Sequence, residues 1–395
     1  MTNKELHQLD QQYYLQTFKR YPLAFERGKG ARIWDVEGTE YIDMLAGIAV
    51  NSVGHSHPKV VKAIQEQAAK ITHISNFYVS EPQVRLSQKL VELSGLNRVF
   101  FSNSGAESVE GAIKIARKYA HSIGRGGTVM SFHGSFHGRT LATIATGKKQ
   151  MQNGFEPIPH GFSQVPFNDM EAVKAATTNE IGAIIIEIIQ GEGGINVADK
   201  QFLKELRTFC NKEGIVLIFD EIQSGVGRTG RWFAKEHFGV EPDIMTLAKA
   251  LGGGVPIGAI LSNEKVSSAI EFGDHGTTFG GNPLVCAASL AVLEVIEEEN
   301  LLQAAQQKGK WLKEQFAALN EPSVKDIRGM GLMLGIEFDF ETKPLVAEMM
   351  NLGVLANATA GNVLRLVPPL NITQNDLEQV MEVVRQSLKR IKANA

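Results

Sequence analysis

The sequence predicts an α/β protein whose central layer is a largely parallel, doubly wound sheet. Three observations predict it. Strand-length apolar runs recur through the middle of the chain, they alternate with amphipathic helical stretches, and glycine is somewhat enriched at 39 residues. Apolar runs without polar alternation mean strands covered on both faces, as in parallel sheets. Alternation of strand and helix then puts helices on both sides of that sheet, and glycine serves the tight turns between them.

Taken in order, residues 1–53 contain "ARIWDVEGTEYIDMLAG", where two short strands flank the turn at Glu37-Gly38. The strands of the central layer are predicted at 98–103, 128–133, 181–189, 215–220, 243–248 and 257–262. Helical periodicity marks 105–123 and 198–214 between them. The stretch 290–319 reads as one long helix able to link two lobes. Beyond it, "VKDIRGMGLMLGIEFD", "GVLANAT", "VLRLVPPL" and an amphipathic helix from Thr373 make a small α+β unit. A chain of 395 residues exceeds what a single core usually serves. We therefore expect a large α/β domain over 54–300 and a small α+β domain built from both chain ends, 1–53 and 301–395.

Composition narrows the partners. A formal charge of −3 gives no electrostatic case for nucleic acid or an anionic membrane and leaves a small molecule as the expected partner. Cys210 and Cys286 are too few and too far apart for a disulfide scaffold or a zinc site, so no metal is expected. "MTNKELHQLDQQYY" has no apolar core of a secretory signal, and no run of about 18 apolar residues offers a membrane span. The expected setting is the cytosol.

Ligands of open α/β sheets sit at the carboxyl ends of strands, and three candidate strands end in useful chemistry. The strand at 98–103 runs into Ser104-Gly105-Ala106 at a helix start. Bare backbone N–H groups there form an anion site, or Ser104 simply caps the helix with Glu107 in its first turn. The strand at 215–220 ends in Asp220, whose charge needs a partner if buried; otherwise it is a rim or turn residue. In "PDIMTLAKALGGGVPIGAIL", Lys249 follows an apolar strand and precedes Gly252-Gly253-Gly254. Its stem packs while the ammonium reaches solvent, or desolvation frees the amine to form a Schiff base. Together an anion cradle, a carboxylate and an amine describe the three handles of pyridoxal 5′-phosphate: phosphate, ring nitrogen and aldehyde.

Read together, "SNSGAESVEGAIKIAR", "FHGRT", "EIIQGEGG", "FDEIQSGVGRTG", "LAKALGGGVPIGA", "TTFGGNPL" and "VLRLVPPL" resemble the class III aminotransferases of fold type I, and within them the acetylornithine branch. The likeness is collinear from about Tyr21 to Pro369. It implies the fold type I architecture, a mostly parallel central sheet of the seven-stranded type with a small domain from both chain ends. It implies pyridoxal 5′-phosphate bound through Lys249, with Asp220 on the ring nitrogen and Gln223 near the phenolic oxygen. Ser104, Gly105 and Ala106 match the phosphate cradle and Phe136 the ring stacked on the cofactor. Thr278 matches a threonine reaching the phosphate of the neighbouring subunit, which implies a homodimer with shared sites. Without the resemblance, Phe136 reads as core and Thr278 as a turn residue.

The same likeness assigns substrate contacts. Arg139 matches a holder of a substrate carboxylate, Thr277 a substrate contact, and Arg365 the arginine for the α-carboxylate of a 2-oxo acid, since guanidinium binds carboxylate in a fork. Read without it, Arg365 is a surface charge on an edge strand. Glu192 resembles a gating glutamate, paired with Arg365 when an ω-amine enters and withdrawn when 2-oxoglutarate enters. The implied reaction moves the terminal amine of N2-acetylornithine to 2-oxoglutarate; succinylornithine, ornithine and 4-aminobutyrate are the neighbouring alternatives. Phe18 stands where relatives carry a tyrosine touching substrate polar groups. A non-catalytic ligand-binding module is the alternative of another class, and it gives Lys249 no reason to stand at a strand end.

Overall fold

A computed structural model describes residues 1–393. The central apolar runs form a seven-stranded sheet in the order Arg98–Ser102, Gly258–Ser262, Ile244–Leu247, Val216–Asp220, Ile181–Ile186, Thr128–Phe132, Phe162–Val165. Only Gly258–Ser262 runs against its neighbours. Asp220 pairs with Thr246 and Ile218 with Ile244, so the ends of the two middle strands are level. That register later sets Asp220 and Lys249 beside the same space.

Three details differ from the sequence reading. The run expected at 181–189 stops at Ile186, and Ile189–Gln190 instead forms a two-residue ladder with Asn196–Val197. The edge strand Phe162–Val165 went unpredicted, because Ser163 and Gln164 break its apolar run. The helix expected over 290–319 is two helices, Pro283–Glu298 and Leu301–Ala318. Asn300 between them takes a left-handed φ of 53°, a conformation asparagine tolerates better than most residues.

Helices cover both faces. Gly105–Ser122 buries Val109, Ala112, Ile113 and Ala116 on the sheet. Each fully buried valine or isoleucine there contributes about 1.5–3 kcal/mol. Lys200–Glu213 covers the other face with Phe202, Leu203 and Leu206. The chain ends meet in a second sheet, where Val354–Leu355 runs parallel to Glu40–Asp43. A third sheet, Val324–Met330, Met333–Phe338, Val363–Leu366 and Asn357–Thr359, is antiparallel throughout. Among the described residues, no helix is long and apolar enough to cross a membrane.

Candidate active site

The carboxyl ends of the central strands converge on a cavity of about 440 Å³, with Lys249, Asp220, Gly105, Phe136, Gln223 and Arg139 among its lining. They arrive on four strand-to-loop junctions, Phe136 with Arg139 on one and Asp220 with Gln223 on another, which is what a parallel sheet with level strand ends produces.

Lys249 opens a short 3-10 turn with a φ of 42°, a left-handed conformation rare for a side chain of this size. Strain of this kind persists where the surroundings over-determine it, often at functional sites. The side chain finds no hydrogen-bond or ion-pair partner among the described residues, although it reaches the cavity. Burial holds its amine below the usual lysine range; Arg365 pushes the same way, while Glu192 and Asp220 oppose. An amine so placed is a free base more often than a surface lysine is.

Asp220 is buried and fully engaged. Its Oδ2 meets His137 Nδ1 at 2.7 Å, and its Oδ1 accepts the backbone N–H of Ile222 at 3.1 Å and the hydroxyl of Thr246 at 3.3 Å. Burial disfavours a charged His137, but the hydrogen bond and charge of Asp220 outweigh it and raise the imidazole above its ordinary value. His137 Nε2 is buried without a partner. Glu187, at the end of Ile181–Ile186, lines the same cavity, and burial pushes its carboxyl up to about 7. Neither His137 nor Glu187 was singled out from the sequence. Both stood in quoted motifs, and Glu187 follows an apolar run as Asp220 does.

Ser104 does cap its helix, its Oγ accepting the N–H of Glu107 at 3.2 Å. Capping leaves the first-turn N–H groups of Gly105 and Ala106 without intrahelical partners, so cap and cradle coexist. Gly138, at φ 139°, lies so close that a Cβ there would stand 2.9 Å from Ala106 Cβ. Phe136 is half-buried at the cavity wall, and the Arg139 guanidinium lies 5.5 Å from its ring centroid, exposed toward the mouth.

Arg365 is 1% exposed in Val363–Leu366, an interior strand flanked by Met333–Phe338 and Asn357–Thr359, which overturns the edge-strand reading. Its Nη1 forms a close ion pair with Glu192 and lies 3.4 Å from Gln223 Oε1, while Nη2 donates to Asn357 Oδ1 at 2.8 Å. Burial works against the Glu192 charge, but Arg365 holds that carboxyl below its usual range. Thr277 and Thr278 do not line this cavity. They border a separate groove with Phe77 and His275; Thr277 Oγ1 accepts from Asn103 Nδ2 at 3.3 Å, and Thr278 is exposed. Phe18 is also exposed and borders another hollow, beside the helix Asn3–Tyr13.

The donor set fits pyridoxal 5′-phosphate. An unpaired amine, a buried carboxylate and a helix start opened by glycine surround one space, and a half-buried aromatic ring walls it. Among the described residues no cluster of three His, Cys, Asp or Glu side chains is placed to hold a metal.

Comparison with known proteins agrees with this chemistry. The class-III aminotransferase profile matches residues 13–388. The acetylornithine aminotransferase of Methanocaldococcus jannaschii is 51% identical over 99% of this chain and 100% of its own length. A crystal structure of the Toxoplasma gondii ornithine aminotransferase, described with pyridoxal 5′-phosphate partly occupying its active site, superposes with a TM-score of 0.95 at 34% identity, covering 100% of this chain and 95% of that one. The acetylornithine aminotransferase of Elizabethkingia anophelis gives a TM-score of 0.88 at 32% identity, over 99% and 100% of the two chains.

Proposed function

The chain belongs to the class-III aminotransferases, and from that premise we propose that it moves the terminal amino group of N2-acetyl-L-ornithine to 2-oxoglutarate, releasing N-acetylglutamate 5-semialdehyde and L-glutamate. The family depends on pyridoxal 5′-phosphate, which when bound supplies an aldehyde to carry the amine and a ring to accept electrons from the substrate carbon. Lys249 would hold it covalently, Asp220 would meet its ring nitrogen, and Ser104, Gly105 and Ala106 would take its phosphate. Gln223 and Phe136 would fix the ring's edge and face.

The remaining steps belong to this chain's own groups. Released from its covalent duty, Lys249 Nζ is the base that takes the proton from the amine-bearing carbon and later returns one. Burial lowers its basicity below that of a surface lysine, which favours the free amine that a base must be. His137 fixes the orientation of Asp220 through the contact of its Nδ1 with Oδ2. Arg139, which lines the cavity, would hold the acylated substrate's carboxylate, whereas Thr277 borders a separate groove and touches no substrate in its own chain's cavity. The Glu192–Arg365 pair hides the buried cation while that substrate is present and opens when a 2-oxo acid enters. That pair, standing beside Lys249 and Asp220, is the observation that carries the reading, because only two alternating substrates of different charge require it.

A homodimer goes with this proposal. Thr278 is exposed and borders a separate groove rather than its own cavity, in keeping with a residue that completes a partner's phosphate site. A reducing, cytoplasmic setting is in keeping with Cys210 and Cys286, which are buried free thiols. The test is a pair of half-reactions followed by the visible absorbance of the bound cofactor. Acetylornithine should discharge it fastest, 2-oxoglutarate should restore it, and succinylornithine, ornithine and 4-aminobutyrate should trail. A faster response to any of those three would replace the named substrate. Borohydride should fix the cofactor covalently to the wild type and leave Lys249→Ala unlabelled; labelling of the variant would remove Lys249 from its role.

A further inference from the structure

Glu187 is a buried carboxyl with no Lys or Arg side chain hydrogen-bonded or ion-paired to its oxygens among the described residues. It has instead two backbone donors, from two different loops. Its Oε2 accepts the N–H of Phe136 at 2.9 Å, and its Oε1 accepts the N–H of Gly191 at 3.3 Å. The first loop, 133–139, carries Phe136, His137 and Arg139; the second, 190–194, carries Glu192. Gly191 also leaves little slack, because a Cβ there would lie 2.4 Å from Gln223 Oε1. On its far side the second loop is held by Thr359 Oγ1, which donates to the Glu192 carbonyl at 3.0 Å.

We propose that Glu187 is a positioning residue that sets the ring-stacking loop in register with the gate loop, so that one buried carboxyl governs both how the cofactor ring is seated and how readily Arg365 is uncovered. The second half of this statement rests on the amino-transfer reading. The reason is geometric. Gly191 N and the Glu192 carbonyl are pinned on opposite sides, so the gate opens by rotation of the Glu192 side chain rather than by drift of the loop. Releasing the Gly191 N–H frees the backbone next to the gate and lets Glu192 leave or return along other paths. Losing the Phe136 bond lets the stacked ring tilt. The two loops stay joined in a variant by Gln190, whose Nε2 donates to the His133 carbonyl at 2.9 Å, so the wall itself is expected to persist.

Glu187→Gln tests this, because the amide keeps the shape but can accept only one of the two N–H groups. Glu187→Asp is the second variant: it keeps the carboxyl group and withdraws both oxygens by a methylene. Holoenzyme is examined in three ways. Visible circular dichroism of the bound cofactor reports ring seating, the KM ratio of glutamate to acetylornithine reports the gate, and thermal melting reports general stability. Glu187→Asp should change the dichroism and move the KM ratio by about fivefold, as expected for one lost backbone hydrogen bond at each loop, and Glu187→Gln should change at least the readout of whichever loop loses its bond. A lowered melting temperature with unchanged dichroism and an unchanged ratio would overturn the proposal and leave Glu187 a purely structural group. A wild type that binds the cofactor yet transfers no amine would sink the aminotransferase reading instead, and the dichroism comparison would still decide the role of Glu187 in seating the ring.

Discussion

Replacing Glu192 with alanine exposes the gate to direct measurement. In the closed pair the Arg365 side chain is 1% exposed and that of Glu192 31% exposed, so the contact is dry at one end and wet at the other. A hydrogen bond to a charged group contributes roughly 1.5–3 kcal/mol, and the solvated end of Glu192 argues for the lower bound. Glutamate must displace Glu192 before its α-carboxylate reaches Arg365, whereas in the variant nothing competes. About 1.4 kcal/mol of released competition is about tenfold in apparent affinity. The KM for glutamate should therefore fall about tenfold by that conversion, while acetylornithine, which leaves Arg365 covered, gains nothing. Single-turnover half-reactions, each followed by cofactor absorbance, separate the two. One side effect must be controlled: Glu192 also supports the charged form of Lys249, so the variant's amine becomes a weaker base. That shift moves both half-reactions along the pH axis together and cancels in their ratio. A glutamate-to-acetylornithine ratio that stays at the wild-type value would refute the gate.

Other consequences can be checked separately. Asp220→Asn leaves a buried His137 without its carboxylate, so the imidazole should lose its raised pKa, and activity should drop at least about a hundredfold if the broken pair costs roughly 3–5 kcal/mol at the site; near-normal turnover would exclude Asp220 as the ring partner. Gly258→Ala puts a Cβ 2.3 Å from Ser108 Oγ and 2.6 Å from the Ser104 carbonyl, shifting the helix start that cradles phosphate. It should lower stability by about 1–3 kcal/mol and weaken cofactor retention on dialysis; normal retention would mean that the cradle lies elsewhere. Glu221, which burial pushes up to about 7, is protonated in the folded state at pH values where the unfolded chain has already released its proton. Its contribution to stability is complete below about pH 4.5 and lost as pH rises toward 7, with a slope of up to about 1.4 kcal/mol per pH unit. Urea melts at pH 5, 6 and 7 should show that slope in the wild type and a flatter one in Glu221→Gln; equal slopes would refute it.

The strands of the central layer were legible because burial on both faces writes itself as an apolar run. Phe162–Val165 was not, since an edge strand has one less neighbour and can keep Ser163 and Gln164. The break at Asn300 was also hidden, because the sequence continues to offer helix-forming residues through the kink and only a left-handed φ interrupts it. At the site, the residues that end strands could be found from their position. His137 could not be reached by that logic, as it lies in a loop and its partner Asp220 is 83 positions away. Thr277 and Thr278 show the opposite limit: their motif was visible, but one chain does not bring them to its own cavity.

What remains to explain is why so many charges share one small space. Burying an ionised group costs several kcal/mol unless it is paired, and the cost is met pairwise here: Asp220 with His137, and Glu192 with Arg365. The buried Lys249 has no hydrogen-bond or ion-pair partner among the described residues, and Glu187 relies on N–H groups. A folding optimum would replace such an amine with leucine. The left-handed backbone at Lys249 adds to the cost, so the site is less stable than the sheet beneath it could make it. The apolar strands Ile181–Ile186 and Val216–Asp220 carry that deficit, each buried valine, leucine, isoleucine or phenylalanine in them contributing about 1.5–3 kcal/mol. Removing the amine should therefore raise the stability of the cofactor-free protein, as expected where activity requires a strained and desolvated group. If Lys249→Ala melts no higher than the wild type without cofactor, the lysine is not held against a penalty, and the argument from its burial to its reactivity fails.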